Sequence, residues 1–137
     1  MSARRAISVL VAAAFVGLAP ALFAAEESLP GGARYQKLCS QCHGEKGDGN
    51  GVAAARLLPR PRDFTAGKFK VRTTPSGSLP TDADLLRIIK NGMPYTSMPG
   101  WSHLPESDLQ ELLAAVKSFS PDFADPSKAG TPIDAGG

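Results

Sequence analysis

Apolar positions along the chain change their spacing several times, and each spacing predicts a different kind of element. Residues 6–19 form an apolar run broken only by Ser8 and Gly17, preceded by Arg4 and Arg5 and followed by Pro20 and small residues. The run is shorter than the roughly 20 residues that cross a bilayer as a helix and has no polar face, so it reads as a secretory signal, cleaved after Ala24 or Ala25. Further on, Tyr35, Leu38 and Cys42 fall at i, i+3 and i+7, which predicts one short helix over residues 31–43. GEKGDGNG, with four glycines in eight residues, must be a loop. Residues 52–58, VAAARLL, predict a short helix ended by Pro59 and Pro61, and residues 59–80 show no sustained period at all.

The next stretch is better punctuated. In residues 81–92, Thr81 and Asp84 make a capping box, Leu85, Ile88 and Ile89 form one apolar face, and Gly92 stands where a left-handed terminator belongs. A final helix is predicted from Pro105 to Phe119, with Leu109, Leu112, Leu113 and Val116 inward and Pro121 stopping it. The remainder, residues 121–137, is small and polar and is expected to be a disordered tail. No repeat and no strand pattern is visible, so the fold class is all-α: three main helices with a long loop insert, which Phe64 and Phe69 should pin to the core.

Composition narrows this picture. Residues 26–137 hold one domain's worth of chain, with the domain itself expected over 26–120. They carry 13 Lys+Arg against 13 Asp+Glu, so nucleic acid is not implied as a partner. The charge is uneven: Arg56, Arg60, Arg62, Lys68, Lys70 and Arg72 crowd residues 56–72 against Asp63 alone. Glycine and proline number 24 in residues 26–137, too many for a core closed by long helices alone. A large apolar cofactor at the centre would supply the missing interior.

The chemistry is concentrated in CSQCH, which contains both cysteines of the chain and one of its two histidines. A thioredoxin-like pair needs a strand-to-helix junction, and no strand precedes Cys39. A zinc site built from Cys39, Cys42, His43 and His103 has the right ligand count, but adjacent Cys42 and His43 point about 100° apart on a helix. A disulfide across so short a loop would stabilise little. Covalent attachment of haem uses every residue of the motif: Cys39 and Cys42 add to the two vinyl groups as thioethers, and His43 lies against the iron. The second axial position has three candidates, Met93, Met98 and His103, all within NGMPYTSMPGWSH.

Taken in order, the CxxCH helix, glycine loop, middle helix, methionine loop and terminal helix of residues 31–120 resemble the class I cytochrome c family, in particular its small bacterial periplasmic monohaem members. The resemblance implies that fold wrapped around one haem c, held through two thioethers, with His43 and Met98 as iron ligands. It makes Pro99 the residue that keeps the methionine loop extended and places Trp101 near a propionate, leaving Met93 to packing and His103 to the surface. Gly31 and Tyr35 match the family's contact between first and last helices. The aromatic expected on the last helix is replaced by Ala115, unless Phe119 takes its place. Val52 stands where relatives carry a proline, in the region whose carbonyl accepts the proximal histidine's Nδ1 hydrogen.

With both axial positions filled, the function implied is one-electron exchange in the periplasm, a carrier and not an enzyme. The expected apolar wall is Tyr35, Leu38, Phe64, Leu85, Ile89, Trp101, Leu109 and Leu113. The basic run is a candidate docking patch, with redox proteins such as a periplasmic reductase or dehydrogenase as partners and no stable membrane insertion after signal cleavage. Two alternatives stay open: a haem-c subunit fixed within a larger oxidoreductase complex, and a ligand-binding haem sensor or enzyme if the methionine is displaceable.

Overall fold

A computed structural model describes residues 30–134, so the predicted signal and its cleavage point lie outside the described residues. The described residues form four α-helices, α1 (Gly32–Leu38), α2 (Ser40–His43), α3 (Asp82–Asn91) and α4 (Glu106–Ser118), with short 3-10 turns at Ala54–Arg56, Pro121–Ala124 and Pro126–Lys128. Among the described residues there is no strand, and no helix is long and apolar enough to cross a membrane.

The helix expected over residues 31–43 is two helices that meet at Cys39, whose φ of −120° steps the chain sideways. Ser40 explains the step. Its hydroxyl donates to the Gln36 carbonyl at 2.5 Å, occupying the acceptor that a continuous helix would offer to the Ser40 N–H. The helical path survives on either side, through Cys39 N–H to Tyr35 O (2.8 Å) and His43 N–H to Cys39 O (2.9 Å). Beyond α2 the glycine loop doubles back, so that Gly49 N–H reaches His43 O (2.8 Å) and Ala53 N–H reaches Gln41 O (3.0 Å). The terminal carbonyls of α2 are thereby satisfied without a side-chain cap. Only residues 54–56 of the predicted VAAARLL helix turn helically, because Leu57 is already extended ahead of the two prolines.

α4 packs against both α1 and α3. Leu109, Leu112, Leu113, Ala115 and Val116 form its buried side, and Tyr35, Leu85 and Ile89 complete the core with Phe64. Where α1 crosses α4, the place of the missing aromatic at Ala115 is taken by Phe119, whose ring lies 4.7 Å from that of Tyr35. Two glycines make room for it. A Cβ on Gly31 would stand 2.7 Å from the Phe119 ring and one on Gly47 2.5 Å from it, and both residues have positive φ. Arg34 adds an ion pair from α1 to Asp108 (2.8 Å) and Glu111 (2.9 Å), and Lys117 joins α4 to Asp82 (2.7 Å). Such exposed pairs contribute at most about 1 kcal/mol each.

α3 begins with the predicted capping box. Asp84 N–H donates to the Thr81 hydroxyl and Asp84 Oδ2 accepts the Thr81 N–H, both at 3.1 Å. The same oxygen accepts the N–H and hydroxyl of Thr73 at 3.0 Å, which ties the end of the insert to the helix start. Phe64 is buried and Phe69 packs against the core, so the two aromatics pin the insert as expected. The segment after residue 120 departs from the expectation of a disordered tail over its described part, residues 121–134. Its two 3-10 turns are capped by Ser120 and Asp125. Leu79 N–H donates to Lys128 O (2.9 Å) and Ile133 N–H to Thr73 O (2.8 Å), laying the tail along the insert. Two irregular segments have exchanged the backbone donors and acceptors that neither could satisfy alone.

Candidate functional site

Cys39 stands at the step between α1 and α2, and Cys42 and His43 lie on α2 itself. All three line one cavity of about 370 Å³ together with Met98 from the loop after α3. Five residues of the expected wall, Tyr35, Leu38, Phe64, Ile89 and Trp101, line it too. Leu85 lines a smaller neighbouring cavity that also touches His43 and Met98. The α4 residues of the expected wall are corrected by one helical row: Leu112 and Val116 face the cavity, while Leu109 and Leu113 sit in the packing between helices. At 100° per residue these are adjacent rows of one apolar stripe, and spacing alone does not tell them apart.

His43 is fixed on two sides by the insert. Its Nδ1 lies 3.0 Å from the Arg62 carbonyl oxygen, and its ring stacks on Phe64 with centroids 4.5 Å apart. Phe64 is held in turn by its own N–H, which donates to Gly47 O at 2.7 Å. A carbonyl can only accept, so Nδ1 carries the hydrogen and Nε2 carries the lone pair a metal would take. Burial lowers the His43 pKa, the Arg62 carbonyl bond opposes that, and the Arg62 guanidinium lowers it again. The acceptor expected near Val52 is thus Arg62, nineteen residues beyond the histidine, and Val52 itself is 87% exposed. No local sequence signal pairs positions so far apart.

Cys39 and Cys42 are free thiols. Burial, followed by the neighbouring Cys42, pushes the Cys39 thiol up to about 11. A redox dithiol requires the opposite shift, and no strand leads into the motif. Nor, among the described residues, do three His, Cys, Asp or Glu side chains stand together as a group that could hold a metal ion.

The methionine loop closes on itself. Met93 N–H donates to Met98 O (3.2 Å), Thr96 N–H to Met93 O (3.2 Å), and Met98 N–H to the Thr96 hydroxyl (3.1 Å). Trp101 N–H anchors the exit of the loop to Ile89 O at 3.0 Å. Met93 lines the cavity beside Met98, whereas His103 is exposed, lies outside the lining and has its ring 5.9 Å from Trp101. The donor set facing the cavity is therefore two thiols, one imidazole with its lone pair free, and thioethers, on largely apolar walls. Soft sulfur and neutral nitrogen suit iron in a porphyrin, and the apolar walls suit its ring. Among the described residues no carboxylate lines the cavity, although Arg60, Arg62 and Lys70 do.

Comparison with known proteins agrees with this chemistry. Residues 27–114 match the family model described as cytochrome c oxidase, cbb3-type, subunit III. Among solved structures, a chain of the reducing HAO-like protein complex of Kuenenia stuttgartiensis superposes with a TM-score of 0.71 at 44% identity. The match covers 75% of this chain and 46% of that one, so this chain spans less than half the length of its structural neighbour. No curated protein matches the chain.

Proposed function

Because the chain belongs to this cytochrome c family and has its all-α, class I fold, we propose that it is a periplasmic one-electron carrier. In this reading Cys39 and Cys42 would hold a single haem c, and His43 and Met98 would be the ligands of its iron. The observation that carries the proposal is the convergence of both thiols, the imidazole and the Met98 thioether on one cavity. When bound, haem supplies a one-electron iron couple.

Each residue then has a definite task. Cys39 and Cys42 anchor the group and Leu38, Ile89 and Trp101 keep water from it. Arg62 O and Phe64 hold the His43 ring in one orientation, so a change of oxidation state requires little rearrangement. The Met98 thioether favours the reduced form, and its closed loop keeps the sulfur in place. With His43 and Met98 both holding the iron, small molecules would have no entry to it. The apolar run of residues 6–19 supports export, with residues 1–25 removed, residues 26–120 forming the cytochrome domain and redox proteins as partners.

The absorption spectrum of the protein, purified after co-expression with a cytochrome maturation system, tests this reading. Sharp α and β bands on reduction and a mass above that of the processed chain are expected, and a colourless chain of bare mass overturns it. Met98→Ala should lose the sulfur-to-iron band of the oxidised protein and bind carbon monoxide when reduced. Carbon monoxide binding by the unaltered protein at neutral pH would favour a ligand-binding sensor or enzyme instead. A second reading, a haem-c subunit fixed in a larger oxidoreductase, is favoured by one observation: the structural neighbour is a chain of a redox complex. Gel filtration of native extract separates it from a free shuttle by the size at which the chain elutes.

A further inference from the structure

Four aromatic rings form a continuous column from the C-terminal segment to the imidazole of His43. The Phe123 ring meets Phe69 edge-on with centroids 5.6 Å apart, Phe69 lies nearly parallel to Phe64 at 6.3 Å, and Phe64 stacks on His43 at 4.5 Å. Phe64 is buried, while Phe69 and Phe123 are half-buried and close the column from outside. Aromatic pairs prefer such offset and edge-on arrangements, so each ring restricts the plane of the next.

The outer end of the column is held in place by its own chain. Phe123 belongs to a 3-10 turn that Ser120 caps, and the residues beyond it run back along the insert. Leu79 N–H reaches Lys128 O (2.9 Å) and Ile133 N–H reaches Thr73 O (2.8 Å). Lys128 Nζ pairs with Asp122 at 2.6 Å, bracing the two 3-10 turns against each other. Gly130 lies so close to the insert that a Cβ there would stand 2.5 Å from the Thr74 Cβ. Thr74 is itself buried and its hydroxyl donates to Leu79 O at 2.8 Å, so it has little room to yield. The segment thus grips the insert from Phe69 to Leu79, and it lies wholly beyond residues 27–114, to which the family match extends.

We propose that residues 121–134 are a positioning strap for His43: they seat Phe123 on Phe69, and the ring column passes that constraint through Phe64 to the imidazole. The inference rests on the haem-carrier reading and adds to it an element, far along the chain, that holds the ligand in plane. The Arg62 carbonyl selects which nitrogen is free, and the column limits rotation of the ring about that hydrogen bond.

The test uses the full chain loaded with haem. Two lesions act on the strap at separate points: Phe123→Ala removes the outer ring, and Gly130→Ala forces the backbone away from Thr74. Both should displace the haem methyl proton resonances of the oxidised protein, whose spread follows the orientation of the imidazole plane. Both should also speed exchange of the Phe64 N–H about tenfold, although its bond to Gly47 O lies outside the strap. Phe123→Tyr, which keeps the ring, should leave both readouts as in the unaltered protein. Leu113→Ala, in the core but outside the column and the cavity lining, should lower stability to denaturant without moving the methyl resonances. Unchanged methyl resonances and Phe64 exchange in both strap variants overturn the proposal. So does an equal displacement in Leu113→Ala, since the ring plane would then follow stability in general. The visible spectrum of each sample separates the two levels of failure. A normal reduced spectrum with indifferent strap variants sinks only the strap, and a missing spectrum sinks the carrier reading beneath it.

Discussion

His43 shows how much a single side chain depends on residues far from it in sequence. Its neighbours on α2 position the backbone, but Arg62 O and the Phe64 ring decide which nitrogen is free and where it points. Phe64→Ala should therefore loosen the ligand as well as the core. We expect a stability loss of about 3 kcal/mol by denaturant titration, and on the metal side broadened, pH-sensitive absorption bands. Phe64→Leu should recover most of the stability but not the sharp bands, because it restores volume without a flat face for the imidazole. Met98 was preferred over Met93 and His103 by the family resemblance alone, whereas the CSQCH motif was legible because its chemistry is carried by residue type and spacing. The Arg62 acceptor was not, since any residue's carbonyl can accept a hydrogen bond and side-chain chemistry gives no hint of which one does.

At the level of elements, α3 and α4 were read almost to the residue, and for the same reason: each has a capping or proline signal at its start and an unbroken apolar stripe. The first helix was misread because a serine hydroxyl competing for a carbonyl leaves no trace in periodicity. The junction between insert and α3 makes its own prediction. Burial alone would raise the Asp84 carboxyl, but hydrogen bonds from Thr73 and Thr81 outweigh it and bring the group down from 3.8 to about 2. A carboxyl depressed on folding stabilises the native state above its unfolded value, and that contribution fades as pH falls from about 4 to about 2. Acid unfolding of the protein should steepen in that window, and Asp84→Asn should flatten it while lowering stability at neutral pH by about 1–2 kcal/mol. At the α1–α4 crossing, Phe119→Ala should cost about 3 kcal/mol in the same titration, because Gly31 and Gly47 leave nothing else to fill the space.

For the whole molecule, the charge map is the feature that reaches outward. The ion pairs among the described residues lie on α1, α3, α4 and the tail, whereas Arg60, Arg62 and Lys70, which line the cavity, enter none of them. Oxidation of the reduced protein by anionic hexacyanoferrate should slow as salt is raised from 10 to about 200 mM, because the Debye length shrinks from about 30 Å to under 8 Å. A cationic cobalt complex should show a flat or opposite trend, and equal slopes for the two reagents would mean that the cavity has no net field at its opening. The all-helical outline followed from the spacing of the apolar positions. The packing of residues 121–134 onto the insert did not, because backbone pairing between two irregular segments is invisible to composition.

That packing has a consequence for the order in which the protein is completed. A polypeptide made from its N-terminus presents Cys39, Cys42 and His43 long before Arg62 exists to orient the imidazole, and longer still before Lys128 and Ile133 can close over Leu79 and Thr73. Machinery that modified the motif ahead of folding would meet these three side chains on an accessible strand. Residues 128–133 work as a latch, fastened over Leu79 and Thr73 only after the segment that carries the motif has been made.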